Sequence, residues 1–214
     1  MKIVGCDEDG LQQASRTLRS GGVVAYPTDT VYGLGCDPRN PQAVRRIFEV
    51  KGRERKPLPV LFSNLENLRR VVQITPIADN LATRFWPGPL TLVCRLLDST
   101  LDETVALGTG KLGVRIPNHT CTLKLIELCG GALVGTSANR SGETAAKSAA
   151  EVVQGVGENV DVIIDGGPTA LGRESTVVDV SGGVFKIIRE GHLSAAELLS
   201  SIGKISQFHA GEMV

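Results

Sequence analysis

Apolar positions recur with two periods along this chain, and the changes from one period to the other mark out its elements. Leu11, Ala14, Ser15 and Leu18 stand at helical spacing within residues 7–20, and Gly21-Gly22 closes that run. The unbroken apolar stretch from Val23 to Tyr26 reads as a strand entering a core. A helix follows with clear punctuation: Asn40 as cap, Pro41 in the first turn, Val44, Ile47, Phe48 and Lys51 on one face, and Gly52 just past the end. "LPVLF" (58–62), "LTLVCRLL" (90–97) and "LGVRIP" (112–117) read as strands, with a helix between Thr75-Pro76 and Pro87-Gly88 and another near 120–129. Ser63 with Glu66, Ser148 with Glu151 and Ser194 with Glu197 have the spacing of capping boxes. "ALVGTSAN" (132–139) is an apolar strand ending in hydroxyls and an amide, and "STVVDVSGGVFKIIRE" (175–190) reads as two strands around Ser181-Gly182-Gly183.

Strands alternating with helices predict a layered α/β fold, and the late hairpin makes its open twisted sheet mixed rather than purely parallel. With 214 residues and neither linker nor repeat, one domain over residues 1–203 is expected, followed by a loose tail over 204–214. A chain of this length buries roughly 70% of its unfolded surface and needs no disulfide or metal to hold a core.

Composition narrows the function. Lys plus Arg equals Asp plus Glu at 23 each, and the chain has one Trp, two Tyr and five Phe. That balance argues against bare nucleic acid as the main partner, and so few aromatics cannot stack many bases. Cys6, Cys36, Cys94, Cys121 and Cys129 form no zinc spacing; their odd number, with no signal peptide after Met1, predicts reduced thiols in the cytoplasm. No apolar run approaches membrane-spanning length.

Three local motifs each allow an ordinary reading and a functional one. "VVAYPTDTVYGLG" (23–35) leaves its strand through Thr28, Asp29 and Thr30 and closes on Gly33 and Gly35: a turn, or a binding loop. Lys51, Arg53, Arg55 and Lys56 crowd a helix C-terminus, where cations are favoured in any case, but where they could also clamp a polyphosphate. "GTSANRSG" (135–142) is either an Asx/Ser turn or a row of polar groups at a strand end. "GTGKLG" (108–113) fits a dinucleotide fingerprint literally, yet it opens a strand rather than a helix, so no such site is expected.

The order of the blocks is more specific than any one of them. "PTDTVYGLG", "KGR" (51–53) with "KPLPVLF", "WPGPLTLV" (86–93), "VRIP" (114–117), "TSANRSG" (136–142), "STVVD" (175–179) and "REG" (189–191) together resemble the YrdC-like family, whose enzymes are threonylcarbamoyl-AMP synthases. The resemblance runs over roughly residues 8–191. It implies a sheet folded around a concave basic site. The reaction it implies condenses L-threonine, bicarbonate and ATP, with Mg²⁺, to threonylcarbamoyl-adenylate and pyrophosphate. A second enzyme, a tRNA threonylcarbamoyl transferase, would then use the product to modify tRNA.

The same resemblance assigns roles. Lys51 and Arg53 are implied as catalytic groups on the ATP phosphates. Thr30, Arg115, Ser137 and Ser175 are implied around the threonine, with Arg115 on its carboxylate. Arg53, Lys56, Lys111, Asn139 and Arg189 are implied around the nucleotide, and no protein ligand to the metal is identified. The pattern departs from the family at Lys56, where asparagine is common, at Leu61, where histidine is common, and at Lys111, where threonine is common. Attack of a carbamate on a phosphate brings two anions together, so catalysis should rest on positioning and charge neutralisation. Lys51→Ala and Arg53→Ala are accordingly expected to abolish pyrophosphate release with the fold intact. Two alternatives stand beside this reading: an RNA-binding module using the 45–56 basic stretch, with weak tRNA binding, and a carbamoyl-adenylate-forming enzyme.

Overall fold

The computed structural model describes residues 1–52, 56–183 and 185–201. In chain order the elements are β1 (Lys2–Gly5), α1 (Glu8–Arg19), β2 (Val24–Tyr26), β3 (Gly33–Gly35), α2 (Pro41–Lys51), β4 (Val60–Phe62), α3 (Leu65–Arg69), β5 (Val72–Gln73), α4 (Pro76–Phe85), β6 (Leu90–Leu96), α5 (Ser99–Thr104), β7 (Lys111–Arg115), α6 (Thr120–Leu128), β8 (Ala132–Val134), β9 (Thr136–Ser137), α7 (Ala149–Val156), β10 (Val162–Asp165), β11 (Thr176–Asp179) and β12 (Lys186–Arg189). A last helix covers 195–201. The expected tail lies outside the described residues.

The mixed α/β architecture is as expected, but the strands divide between two sheets. One runs β1-β10-β2-β3-β9, parallel across β1, β10 and β2 and antiparallel at β3. The other runs β12-β11-β6-β7-β4-β8, with β5 beside β6, and mixes parallel pairs (β11 with β6, β4 with β7) with antiparallel ones. Gly135 alone separates β8 in the second sheet from β9 in the first. The chain therefore passes from sheet to sheet inside the "GTSANRSG" motif, and the two sheets meet there.

Local signals explain most of the helices. Asn40 Oδ1 accepts from the amides of Gln42 and Ala43, Pro41 occupies the first turn, and Gly52 ends α2 in the left-handed region at φ 57°. Thr75 caps α4. Ser194 and Glu197 form a reciprocal box: the Ser194 amide donates to Glu197 Oε2 and the Glu197 amide to Ser194 Oγ. At α3 the cap is Asn64 rather than Ser63, because the Asn64 side chain accepts from the Asn67 amide at 2.9 Å. One core cluster draws on both sheets, with Ala25, Leu34, Phe62, Leu92, Val114 and Ile163 among its members. A second, built from Leu11, Leu18, Tyr26, Leu125, Ile126 and Ile164, sits under α1 and α6.

The expectation of uniformly reduced cysteines fails at one pair. Cys6, just past β1, and Cys121, in the first turn of α6, form a disulfide with a Cα–Cα distance of 5.9 Å. They are 115 residues apart in sequence and are brought together because α6 packs on α1. Cys36, Cys94 and Cys129 are free. Burial pushes the Cys94 thiol up to about 12, so it is inert at neutral pH.

Candidate active site

A cavity of about 830 Å³ opens on one face of the second sheet near its junction with the first. Period-two alternation builds its floor. Thr91 and Val93 of β6, Lys111, Gly113 and Arg115 of β7, and Val177 of β11 line the cavity, while Leu90, Leu92, Leu112, Val114, Thr176 and Val178 are buried. A small inner pocket of about 40 Å³ adjoins it, bounded by Thr28, Thr30, Leu61, Arg115, Ser175 and Glu174 among others.

Sequence blocks far apart in the chain converge here. Lys51, Lys56, Lys111, Arg115, Ser137, Asn139, Ser175 and Arg189 all line the large cavity, and Thr30 lines the inner pocket together with Arg115, Ser137, Ser175 and Arg189. Arg53 lies outside the described residues. "GTGKLG" leads into β7, with Gly108 and Gly110 at positive φ, and makes no helix N-terminus for a dinucleotide.

The loop after β2 is both turn and site. Thr28 Oγ1 accepts from the amides of Thr30 (3.1 Å) and Val31 (3.3 Å) and donates to the Val31 carbonyl (2.6 Å). That is turn chemistry. Asp29 and Thr30 instead hold Arg115, whose Nη2 donates to Asp29 Oδ1 at 2.5 Å, Nη1 to Thr30 Oγ1 at 2.9 Å and Nε to the Gly88 carbonyl at 2.8 Å. The Asn118 amide donates to the same Asp29 oxygen. Both side chains of the ion pair are only 6% exposed. Burial pulls the Arg115 pKa down and the Asp29 charge pushes it back up, so the guanidinium stays charged and fixed. Gly33 and Gly35 have a structural reason of their own. A Cβ on either would fall 2.9 or 2.6 Å from the Tyr26 ring, which is fully buried with its hydroxyl donating to the Val134 carbonyl. Their lack of a side chain admits that ring.

Lys51 is placed unlike a surface phosphate clamp. Its side chain is 3% exposed, and Nζ donates to the carbonyls of Ser137 (2.6 Å) and Asn139 (2.9 Å) and reaches Asn139 Oδ1 at 3.4 Å. The Asn139 amide group donates to the carbonyls of Arg140 and Glu143. Lys51 thus ties the end of α2 to the 137–139 segment. Lys111 pairs with Asp179 at 3.1 Å on a more exposed rim. At the other side Arg189 donates to the Ser175 carbonyl and pairs with Glu174 at 3.1 Å, while Ser175 Oγ and Thr91 Oγ1 share a hydrogen bond of 2.8 Å.

Asp29, Thr91 and Glu174 were not singled out as site residues from sequence. Asp29 stood inside the quoted loop and Glu174 directly before "STVVD", but single carboxylates carry no spacing signal. Among the described residues no three His, Cys, Asp or Glu side chains cluster as a metal site. No helix of the described residues is long and apolar enough to cross a membrane.

The cavity therefore lies where the two sheets of an α/β fold meet, floored by alternating strand residues and lined by lysine and arginine from separate blocks. The chain belongs to the Sua5/YciO/YrdC family, whose model, described as telomere recombination, matches residues 16–191. It is 39% identical to the threonylcarbamoyl-AMP synthase of Pyrococcus abyssi over 93% of this chain and 59% of that protein. It is 38% identical to the enzyme of that name from Halorhodospira halophila over 82% of this chain and 92% of the relative. The solved structure of P. abyssi Sua5 complexed with L-threonine superposes with a TM-score of 0.90 at 38% identity, over 95% of this chain and 61% of that one. The chain spans less than two thirds of the length of the P. abyssi relative.

Proposed function

We propose that this chain, acting as one catalytic domain over residues 1–203, condenses L-threonine, bicarbonate and ATP to threonylcarbamoyl-adenylate and pyrophosphate. The observation that carries the reading is the convergence of Thr30, Lys51, Lys56, Lys111, Arg115, Ser137, Asn139, Ser175 and Arg189 on one cavity and its inner pocket, from blocks scattered over the chain. The relatives' shared name supports the same chemistry.

The amine of threonine and bicarbonate first give a carbamate and water. A carbamate oxygen then bonds to the α-phosphorus, and the bond from that phosphorus to the bridging oxygen breaks to release pyrophosphate. No strong acid or base is needed; two anions must be held together. Thr30, Arg115, Ser137 and Ser175 would hold the amino acid, with the two unused N–H groups of Arg115 available to its carboxylate. Lys56, Lys111, Asn139 and Arg189 would face the nucleotide. Arg53 keeps the phosphate role its place in "KGR" suggests, and Lys51 would serve by fixing Ser137 and Asn139 as well as by its charge. Mg²⁺ bound to the triphosphate would neutralise phosphate charge. The labile product would pass to a tRNA-modifying transferase, in the cytoplasm where ATP and amino acids are held.

Pyrophosphate release with L-threonine and bicarbonate omitted in turn tests the reading. Release that needs both supports it; release with carbamoyl phosphate and no threonine would move the chain to carbamoyl transfer. An RNA-binding role draws less support, since the functional residues line a cavity rather than an open basic face.

A further inference from the structure

Arg115 in the inner pocket is neutralised by Asp29, which leaves Arg189 and Glu174 as the other charged groups on that pocket's wall among the described residues. An amino acid entering here as a zwitterion carries an ammonium group as well as a carboxylate. Between two guanidinium groups that ammonium would be repelled unless a carboxylate met it. Glu174 lines both the inner pocket and the large cavity, beside Ser175.

Its backbone is firmly held. The Glu174 carbonyl accepts from the His192 amide, the Thr176 amide donates to the Pro89 carbonyl, and Thr176 Oγ1 donates to the Leu193 carbonyl at 2.6 Å. Gly191 packs so closely that a Cβ there would lie 2.3 Å from the Glu174 carbonyl oxygen. The carboxylate is held by Arg189 at 3.1 Å and remains 38% exposed, so it can take a second partner. Glu143, the other lining carboxylate among the described residues, borders the large cavity alone.

We propose that Glu174 binds the amino nitrogen of the amino-acid substrate, orienting it for carbamate formation. The proposal rests on the synthase reading above. The carbamate keeps one N–H, so the same carboxylate serves before and after that step. A carboxylate in an otherwise phosphate-accommodating site then acts as the selector for an α-amino group.

Calorimetric titration of the full chain tests it with three ligands: L-threonine, 3-hydroxybutyrate (threonine without its amino group) and a non-hydrolysable ATP analogue. Glu174→Gln should weaken L-threonine at least tenfold, leave the ATP analogue within twofold, and erase the wild-type preference for L-threonine over 3-hydroxybutyrate; Glu174→Asp should recover part of the loss. Unchanged threonine affinity in Glu174→Gln would overturn the proposal and leave the synthase reading standing. Equal weakening of threonine and the ATP analogue would overturn it too, by showing that Glu174 works only through Arg189. A wild type that binds the ATP analogue but not threonine would overturn the proposal and the synthase reading together.

Discussion

The inner pocket and the outer cavity use charge in opposite ways. In the inner pocket every charge described has a partner: Arg115 with Asp29, both almost wholly buried, and Arg189 with Glu174. The outer cavity adds Lys51, Lys56 and Lys111, of which Lys111 pairs with Asp179, and one further carboxylate among the described residues, Glu143. A wall of paired charges suits a small zwitterion. Added lysines suit a polyphosphate, whose charge must be met without trapping the product. The difference implies that changes to the inner pocket should act on the fold as well as on function, and changes at the outer rim on function almost alone.

The most severe test is Asp29→Ala, which strands a buried guanidinium. Its loss should destabilise the chain by about 3–5 kcal/mol, read from the urea midpoint. A loss under about 1 kcal/mol would mean that the inner pocket is not anchored by this pair. Lys51→Ala should come next, at about 1–3 kcal/mol, because it removes the ammonium that donates to the Ser137 and Asn139 carbonyls. It should also abolish pyrophosphate release, and full stability with lost turnover would return Lys51 to a purely electrostatic role. Lys111→Ala should shift stability by less than about 0.5 kcal/mol. Its effect belongs in the KM for ATP, raised several-fold and with a weaker salt dependence than wild type.

The smallest effect is at Asp179. Burial acts to raise its pKa, but hydrogen bonds from Ser181 and the Lys111 ammonium outweigh this and hold it below the usual carboxylate value. A carboxylate depressed in the folded state contributes stability above its unfolded pKa, near 3.9, and that contribution fades as pH falls through the lower folded value. Asp179→Asn should therefore flatten the acid limb of the stability curve below about pH 4, by about 0.5 kcal/mol for a pair this exposed. An unchanged acid limb would place the rim's titration elsewhere.

Much of this molecule was legible residue by residue. The caps at Asn40, Thr75 and Ser194, the Gly52 that ends α2 and the apolar strand in "LGVRIP" are short-range signals, each carried by groups within a few positions. β10 was not legible, although it lies between β1 and β2 in its sheet, because its "VIID" run is too short to tell from a buried turn. Asn64 rather than Ser63 caps α3, since either side chain satisfies the pattern and only the local geometry selects one. The site residues were legible as an ordered set of blocks; their partners were not.

The sequence by itself determined the helical and strand periods, most of the caps and the ordered blocks that supply the site residues. Tertiary structure decided what those residues do when they arrive. It split the strands into two sheets joined through Gly135, closed Cys6 on Cys121, gave Arg115 to Asp29 and Lys51 to two carbonyls, and placed Glu174 on the wall of the inner pocket. These pairings span from 15 residues, Glu174 with Arg189, to 115, Cys6 with Cys121. Local propensity carries no information over such separations. They are fixed only when apolar burial brings the two sheets into contact and each buried polar group must find a partner there.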